Sequence, residues 1–398
     1  MKRYGFINKF FYCGPPGLGT QQIFGHTVLN NVIAWFDNAP IFFVYMARTA
    51  IRQSCKILGL SEGAEVLAPA YNCGSEIDPL IKSGASVKFY RIDKSAMVDI
   101  NDLQKRITGK TKVVYVTHYF GFSQPIKEIK ALCIKNDLFL IEDCALSLFS
   151  SDGHKKLGTT GDIGIFNFPK TLPVPDGGAL LINNPELFTH YDFTEPEFIS
   201  VFRKMLPLFK STIYRQFPII SLGNLLFNSI TKKALVSAKN EWQAKANGLP
   251  DIPGSYYYDE RLSNKAMSKL AKQMLQSFNV EQIITRRREN FSYFLNLVDG
   301  LQNISPLFAT LPEGVCPLAF PIQVKQRNRL CNDLKRHMIS AIPWWAGFHR
   351  GINSWEDFPD ACFLKNNTIA LPIHQDLNFK DIEFMFKTLK NIILKQEV

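Results

Sequence analysis

The sequence predicts an α/β fold with a mostly parallel sheet. Between about residues 42 and 185, short apolar runs alternate with amphipathic stretches whose apolar residues recur at helical spacing. Strand–helix alternation of this length is typical of helices packed on a parallel sheet. The chain has 398 residues, which exceeds the usual size of a single hydrophobic core. We therefore expect one large α/β domain and a smaller second domain.

The individual elements follow in chain order. Strands are predicted at EVLAPAY, ASVKFYRI, TKVVYVTHYF, FLIEDC, DIGIFNF and GGALLIN, and helices at ARTAIRQSCKILGL, SEIDPLIKSG, NDLQKRI and IKEIKALCIKND. A helix from about 264 to 297, a strand at FPIQV and a closing helix at FKDIEFMFKTLKNII complete the pattern. These elements predict a large α/β domain at 1–250, with an insertion at about 190–250, and a smaller α/β domain at 251–398.

Composition narrows the class of protein. Hydrophobic residues make up 46% and charged residues 20%, which argues against disorder. The formal charge of +11 favours phosphate-bearing small molecules or anionic lipid over nucleic acid, because no RNA-binding signature or long Lys/Arg run is present. Eight scattered cysteines without a CxxC pair indicate reduced thiols and no metal site. The N-terminus lacks a signal-peptide pattern and no apolar run spans a membrane, so a cytoplasmic protein is expected.

Two predicted strands end in residues that could carry chemistry. FLIEDC ends near Asp143, and FNFPK ends at Lys170, 27 residues later. Ligands of parallel sheets bind at the carboxyl ends of strands, so the acid and the amine should lie near one site. A nucleophilic amine and a carboxylate that keeps a pyridine nitrogen protonated are what pyridoxal phosphate requires. The spacing alone also fits a structural aspartate and a surface lysine.

Several segments, in order, resemble the DegT/StrS-type sugar aminotransferases of pyridoxal-phosphate fold type I. They are EVLAPAYNCGSEIDPLIKSGASVKFYRID, TKVVYVTHYFG, FLIEDCALS, GDIGIFNFPKTLPVPDGGALLIN and LPIHQDLNFKDI. The resemblance covers nearly the whole chain except about 190–250. It implies a seven-stranded sheet, pyridoxal 5'-phosphate as cofactor and a homodimer. It also implies transfer of an amino group from an amino acid, glutamate, to a nucleotide-linked keto sugar for cell-surface glycans.

The resemblance also assigns roles to individual residues. Lys170 becomes the lysine that binds the cofactor covalently and moves the proton, Asp143 the partner of the pyridine nitrogen, and Ala145 the residue under the ring. Arg48, Thr49 and Ala50 would present backbone amides to the phosphate at a helix start. Two further positions complete the cofactor site, namely Asn167 at the phosphate and Arg261 reaching the cofactor of the neighbouring subunit.

Four positions depart from the family pattern. Arg48 replaces a glycine, and its side chain would either add positive charge at the phosphate or point outward. Leu146 stands where a Gln or His often bonds the cofactor, and Cys73 where an aromatic residue usually stacks on the ring, with Tyr71 close by in sequence. Asp259 replaces an asparagine near the phosphate, which is repulsive unless Arg261 or Arg48 offsets the charge.

Other functions remain open from the sequence. A pyridoxamine-dependent sugar dehydratase would have a histidine in place of Lys170, and a non-catalytic scaffold is supported only by Leu146 and Asp259. His118 and His374 are interpreted as structural hydrogen bonders. Trp344 and Trp345 fit either a sugar pocket or core packing.

The insertion suggests contact with a membrane surface. Between residues 198 and 233 there are six basic residues and no acidic one, namely Arg203, Lys204, Lys210, Arg215, Lys232 and Lys233. Large apolar residues recur there at helical spacing, although Pro207 and Pro218 should break or kink the helix. One interpretation is peripheral contact with an anionic membrane. The other is packing of Phe198, Phe202 and Phe209 on a partner subunit.

Overall fold

The computed structural model describes residues 10–19, 22, 25–36, 40–188, 191–216, 250–352 and 355–396. The strands are β1 Phe11–Tyr12, β2 Ile41–Val44, β3 Glu65–Pro69, β4 Ser86–Tyr90, β5 Thr111–Thr117, β6 Phe139–Asp143, β7 Ser151–Asp152, β8 Lys155–Lys156, β9 Ile163–Asn167, β10 Gly178–Ile182, β11 Ser305–Pro306, β12 Phe320–Gln323, β13 Ile339–Ser340, β14 Ile342–Pro343 and β15 Thr368–Leu371. The helices are α1 Val32–Trp35, α2 Ala47–Ile57, α3 Ile77–Ile81, α4 Ile100–Arg106, α5 Ile126–Lys135, α6 Phe198–Gln216, α7 Lys269–Leu275, α8 Val280–Val298, α9 Arg327–Arg336, α10 Pro359–Asn367 and α11 Phe379–Gln396.

A seven-stranded sheet is the main layer, in the order β2–β10–β9–β6–β5–β3–β4. Strand β10 runs antiparallel to β2 and β9, and every other neighbouring pair is parallel. Strands β3 and β10 are buried along their whole length, as expected for a sheet with both faces covered. The prediction of a mostly parallel sheet in an α/β fold is confirmed.

A four-stranded sheet forms the second layer, in the order β11–β12–β15–β14. All its neighbouring pairs are antiparallel, and helices α8 and α11 pack against each other in the same part of the chain. FPIQV forms β12 and FKDIEFMFKTLKNII lies in α11, as predicted. Both layers contribute to one large cluster of buried apolar side chains. The domain boundary near residue 250 stays a prediction.

The prediction of a single helix from about 264 to 297 is wrong. The structure has two helices there, α7 and α8, separated by four residues. Asn279 explains the break, because its side chain accepts a hydrogen bond from the Gln282 amide at 3.0 Å and so begins a new helix. Apolar periodicity continues across such a break, so the pattern alone did not reveal it.

Helix α6 contains the first half of the predicted insertion. It continues through Pro207, so of the two predicted effects a break is wrong at this proline, and a kink stays a prediction. A proline removes one backbone hydrogen bond, and the packing of Val201 and Met205 in the core offsets that loss. Pro218, Lys232 and Lys233 lie outside the described residues. Within the described ranges, no helix has the length and apolar character needed to cross a membrane.

Candidate active site

A cavity of about 620 Å³ opens at the carboxyl ends of the central strands. Asp143 is the last residue of β6, Asn167 ends β9, and Lys170 follows three residues later. These three side chains line the cavity together with Arg48 and Ala145. Five of the eight residues assigned from the sequence are therefore brought together at one site.

Gly178 allows the start of α2 to approach this site. Gly178 pairs with Asn167 across the β9–β10 ladder, and a Cβ atom at Gly178 would lie 2.6 Å from the Ala47 amide nitrogen. Only a residue without a side chain can stand there while α2 begins against the sheet. The DGG segment thus positions the first turn of α2 at the cavity.

Asp143 is a buried carboxylate held in one orientation. Its Oδ1 accepts a hydrogen bond from the Ala145 amide, and its Oδ2 accepts one from the Tyr115 hydroxyl, both at 2.8 Å. Burial raises the pKa of Asp143, and the negative charge of Glu76 raises it further, whereas the positive charge of Lys170 lowers it. Burial and Glu76 thus outweigh Lys170 in setting this pKa, and a further cationic ligand atom beside Asp143 would stabilise the ionised carboxylate.

Glu76 is a second buried carboxylate in the cavity, and sequence reasoning missed it. Its two oxygens accept hydrogen bonds from the Cys73 amide at 2.9 Å and from the Cys73 thiol at 2.6 Å. Burial, with the charge of Glu76, raises the pKa of that thiol to about 12, so it stays protonated. The available signal was an acidic residue shortly after a strand end, in the loop between β3 and α3.

The departures at Cys73 and Leu146 lie in the cavity wall. Neither side chain offers a ring or a strong hydrogen-bonding group to a cofactor. Tyr71 is fully buried against Tyr119 and Trp345 and does not line the cavity, so it is not the stacking partner. Trp344 and Trp345 do line the cavity, as does Tyr256, and these side chains offer aromatic surfaces to a ligand there.

The predicted phosphate contacts of Thr49 and Ala50 need correction. Both amides donate to the Met46 carbonyl, at 2.9 and 3.3 Å, and the Thr49 hydroxyl donates to Leu262. Helix α2 begins at Ala47, so Thr49 and Ala50 are its third and fourth residues. Because the first amides of a helix have no acceptor within it, Ala47 and Arg48 are the residues whose amides suit a phosphate.

The Arg48 guanidinium serves a structural contact as well. One nitrogen, Nη1, donates to the carbonyls of Ser255, Tyr256 and Tyr257 at 3.0, 2.7 and 3.2 Å. These bonds fix residues 255–257 against the cavity, where Tyr256 lines the wall. Burial lowers the pKa of Arg48, which remains a cation.

Arg261 does not reach the cavity of its own chain. Its side chain is 89% exposed and forms an ion pair with Asp259, with Nη2 and Oδ2 2.7 Å apart. The negative charge of Asp259 is thus offset by Arg261, one of the two outcomes expected from the sequence. A contact of Arg261 with the cofactor of a partner subunit stays a prediction.

Lys204 is placed differently from its predicted position on a membrane-facing surface. It projects from α6 into the cavity wall and lies over the Tyr45 ring, with Nζ 3.9 Å from the centroid. Burial lowers the pKa of Lys204 to about 8, the charge of Arg48 acts in the same direction, and Asp176 opposes both. Helical periodicity could not show that this face of α6 meets the cavity.

The two histidines singled out in the sequence are structural, as predicted. His118 lies 3.0 Å from Glu142, and its other ring nitrogen accepts from the Gln124 amide at 3.0 Å. Glu142 also accepts hydrogen bonds from the backbone amides of Gly158 and Thr160, so the polar groups of this buried cluster have hydrogen-bond partners within the protein. His374 accepts from the Asp376 amide. None of the eight cysteines forms a disulfide among the described residues.

Comparisons with known proteins bear on this site. Residues 44–198 match the model of the DegT/DnrJ/EryC1/StrS aminotransferase family. This segment, a little under two fifths of the chain, is similar to that family. It contains Arg48, Asp143 and Lys170, the three charged residues that sequence reasoning placed at the cofactor and that line the cavity.

Individual relatives match to different extents. GDP-perosamine synthase of Vibrio cholerae is 32% identical over 138 residues, which cover 34% of this chain and 38% of that protein. The match to the first curated relatives thus spans about two fifths of their length. Protein MJ1066 of Methanocaldococcus jannaschii, described as uncharacterised, is 29% identical over 84% of this chain and 81% of its own length.

Solved structures share the fold over nearly the whole chain. The pyridoxal-phosphate form of the sugar aminotransferase Spr1654 from Streptococcus pneumoniae, described as putative, superposes with a TM-score of 0.69. It is 16% identical, and the alignment covers 97% of this chain and 99% of that one. The fold is that of the fold type I aminotransferases, as predicted.

The cavity fits the cofactor of this family. Aminotransferases of the family use pyridoxal phosphate. The fit rests on the donor set: a lysine amine suits the aldehyde, and a buried carboxylate whose pKa is raised by burial suits a protonated pyridine nitrogen. The first amides of α2 lie at the same cavity and suit the phosphate.

Proposed function

We propose that this protein is a pyridoxal-phosphate-dependent aminotransferase that moves an amino group from an amino acid, glutamate, to a nucleotide-linked keto sugar. The observation that carries the proposal is the placement of Lys170 and Asp143 in one cavity at the carboxyl ends of β9 and β6. Both residues belong to the segment that matches the aminotransferase family.

The residues of the chain have separate tasks in this reaction. Bound pyridoxal phosphate supplies an electron-accepting ring for the charge that develops on the substrate carbon. Lys170 Nζ removes a proton from the carbon bearing the amino group and returns one during the transfer. The Asp143 carboxylate holds the proton on the ring nitrogen, and the Ala145 amide and the Tyr115 hydroxyl hold that carboxylate in place.

The cavity has room for a nucleotide sugar. The volume of the cavity, about 620 Å³, lies within the range of small-molecule sites. Trp344 and Trp345 offer apolar faces for a sugar or base ring, and the positive charge of the chain favours a diphosphate. The relative named GDP-perosamine synthase supports this substrate class. A Bacillus subtilis relative named spore coat polysaccharide biosynthesis protein SpsC supports a role in polysaccharide synthesis. The free thiols support a cytoplasmic location.

Lys170 disfavours the dehydratase alternative, in which a histidine would take its place. The experiment that tests the function is mass spectrometry of products formed from a panel of keto-sugar nucleotides with glutamate as donor. An amino sugar whose nitrogen comes from ¹⁵N-labelled glutamate supports the proposal. Loss of water from the sugar without nitrogen transfer would support the dehydratase instead.

We also propose a homodimer in which Arg261 contacts the cofactor of the partner subunit. The exposure of Arg261 in its own chain and its place on the short helix at Glu260–Leu262 support this arrangement. We expect an equal mixture of Lys170→Ala and Arg261→Ala chains to recover about a quarter of the activity of the same amount of parent dimer, because random exchange makes half of the dimers hybrids and each hybrid has one intact site of two. Activity no greater than the sum of the two separate variants would contradict action in trans.

Peripheral contact with an anionic membrane is a further part of the proposal. Helix α6 exposes one apolar stripe, in which Phe198 is 81% exposed and Phe202, Leu206 and Phe209 follow at helical spacing. Arg203 is exposed beside it, whereas Lys204 faces the cavity and cannot contribute. Such a stripe fits the acyl boundary of a bilayer.

Liposome flotation tests the membrane contact. We expect the parent to float with anionic vesicles at low salt. The double variant Phe198→Ser/Phe202→Ser should float several-fold less, because each aromatic side chain that is removed loses about 2 kcal/mol of the free energy gained by burying its apolar surface. Leu29→Ser removes a residue that is 94% exposed but distant in sequence, and it serves as the matched control. No flotation of the parent would leave packing on a partner subunit as the role of the stripe.

A further inference from the structure

Helix α6 begins where the family match ends, and it contributes a cation to the cavity. The family model covers residues 44–198, and α6 runs from Phe198 to Gln216. Lys204 lies on its second turn and lines the cavity with Arg48, Asn167 and Lys170. The resemblance to known aminotransferases gives this lysine no role, because the resemblance has a gap over this part of the chain.

The surroundings of Lys204 give its ammonium group no carboxylate within ion-pair distance among the described residues. Its Nζ lies over the Tyr45 ring, 3.9 Å from the centroid. Asp176 is the carboxylate that acts on it through space. Both oxygens of Asp176 already accept hydrogen bonds from Ser268, from the amide at 2.9 Å and the hydroxyl at 2.7 Å.

The position of Lys204 puts this charge beside the start of α2. Tyr45, which supports the lysine, directly precedes Met46, the N-cap residue of α2. Arg48, in the first turn of α2, lines the same cavity and is close enough to lower the pKa of Lys204. Two cations that repel each other in a partly desolvated cavity are stabilised by an anion between them.

We propose that Lys204 binds a phosphate group in the cavity, together with Arg48. The inference rests on the proposed function, which supplies two sources of phosphate, the monoester of the cofactor and the diphosphate of a nucleotide sugar. Inserted helix α6 would then be part of the ligand site, and ligand binding would be coupled to its position. Lys204 lies on α6, beyond the segment that matches the family. The proposed site therefore differs from a cofactor site built only from the matched segment.

Binding measurements with and without a phosphate group test the proposal. Dissociation constants for pyridoxal phosphate and for pyridoxal are measured on cofactor-free parent, Lys204→Gln and Lys204→Arg. Binding of inorganic diphosphate to the cofactor-loaded proteins is measured by calorimetry. The matched control is Lys272→Gln, which removes an exposed lysine that also lies over a ring, that of Phe43, outside the cavity.

We expect Lys204→Gln to weaken the binding of pyridoxal phosphate or of inorganic diphosphate by about 10- to 100-fold. This is the loss of affinity typical of removing a charge-assisted hydrogen bond. Pyridoxal affinity should change by less than about twofold, and Lys204→Arg and Lys272→Gln should stay near the parent. The phosphate ligand that loses affinity identifies which source Lys204 binds.

Two results would overturn the inference while the proposed function stands. One is unchanged affinity of Lys204→Gln for both phosphate ligands. The other is an equal loss for pyridoxal and pyridoxal phosphate, which would show a structural role of Lys204. A parent protein that binds no pyridoxal phosphate and forms no covalent bond with it would instead overturn the proposed function, and the inference with it.

Discussion

Lys170→Ala is expected to abolish covalent attachment of pyridoxal phosphate and to reduce turnover by about four orders of magnitude or more. The side chain supplies both the amine that binds the aldehyde and the group that moves the proton, and such contributions are each large. Lys204 also lines the cavity, but it projects from α6 beside Tyr45 and not from the end of β9. We therefore do not expect it to replace Lys170.

Borohydride reduction followed by peptide mass spectrometry measures the attachment directly. The parent should carry the reduced cofactor on Lys170, and Lys170→Ala should carry none. Lys155→Ala is the control, because Lys155 is exposed on β8 and does not line the cavity. Reduced cofactor bound to another residue in Lys170→Ala, with turnover retained, would show that Lys170 is not the anchoring lysine.

The carboxyl ends of the strands were predictable from the sequence because polar residues mark where each apolar run stops. FLIEDC and DIGIFNF are apolar runs with a polar residue, Asp143 or Asn167, just before their last position, and parallel neighbours bring their carboxyl ends to one edge. The sequence therefore predicts that Asp143 and Lys170 lie near each other. Their exact partners were not, since Tyr115 reaches Asp143 from the neighbouring strand β5.

The side of a helix that meets a cavity could not be predicted in the same way. The basic and apolar residues of α6 gave a clear period, yet Lys204 faces the cavity and Phe198 faces outward. Periodicity shows which residues share a face but not what the face contacts. The start of α2 at Ala47 agrees with the helix predicted at ARTAIRQSCKILGL, although its N-cap is Met46 and no Ser, Thr, Asp or Asn marks it.

Contacts to backbone carbonyls are a further class that sequence reasoning missed. Lys365 is fully buried in α10, and its Nζ donates to the carbonyls of Gly347 at 2.9 Å and Trp345 at 3.3 Å. It also donates to the carbonyl of Asn72, which precedes Cys73 in the cavity wall. A charged residue within a helix gives no sign of such acceptors, because every residue in the chain has a carbonyl.

Asp143→Asn tests the role of the buried carboxylate. The amide has nearly the same shape, and its oxygen can still accept from the Ala145 amide while its nitrogen donates to the Tyr115 oxygen. The fold and the covalent bond at Lys170 should therefore persist. A neutral amide cannot hold a proton on the pyridine nitrogen, so the ring accepts less charge from the substrate carbon.

We expect kcat of Asp143→Asn to fall by about 10²- to 10³-fold, the cost typical of losing one preorganised electrostatic contact in the transition state. Single-turnover absorbance with glutamate measures the step at the substrate carbon and separates it from product release. Asp137→Asn, on the connection between α5 and β6 and exposed, is the control for the loss of an acidic residue. Turnover of Asp143→Asn within a few-fold of the parent would mean that the proton on the ring nitrogen is held by another group or is not required. In that case the buried carboxylate would serve only to order β6 and the cavity wall.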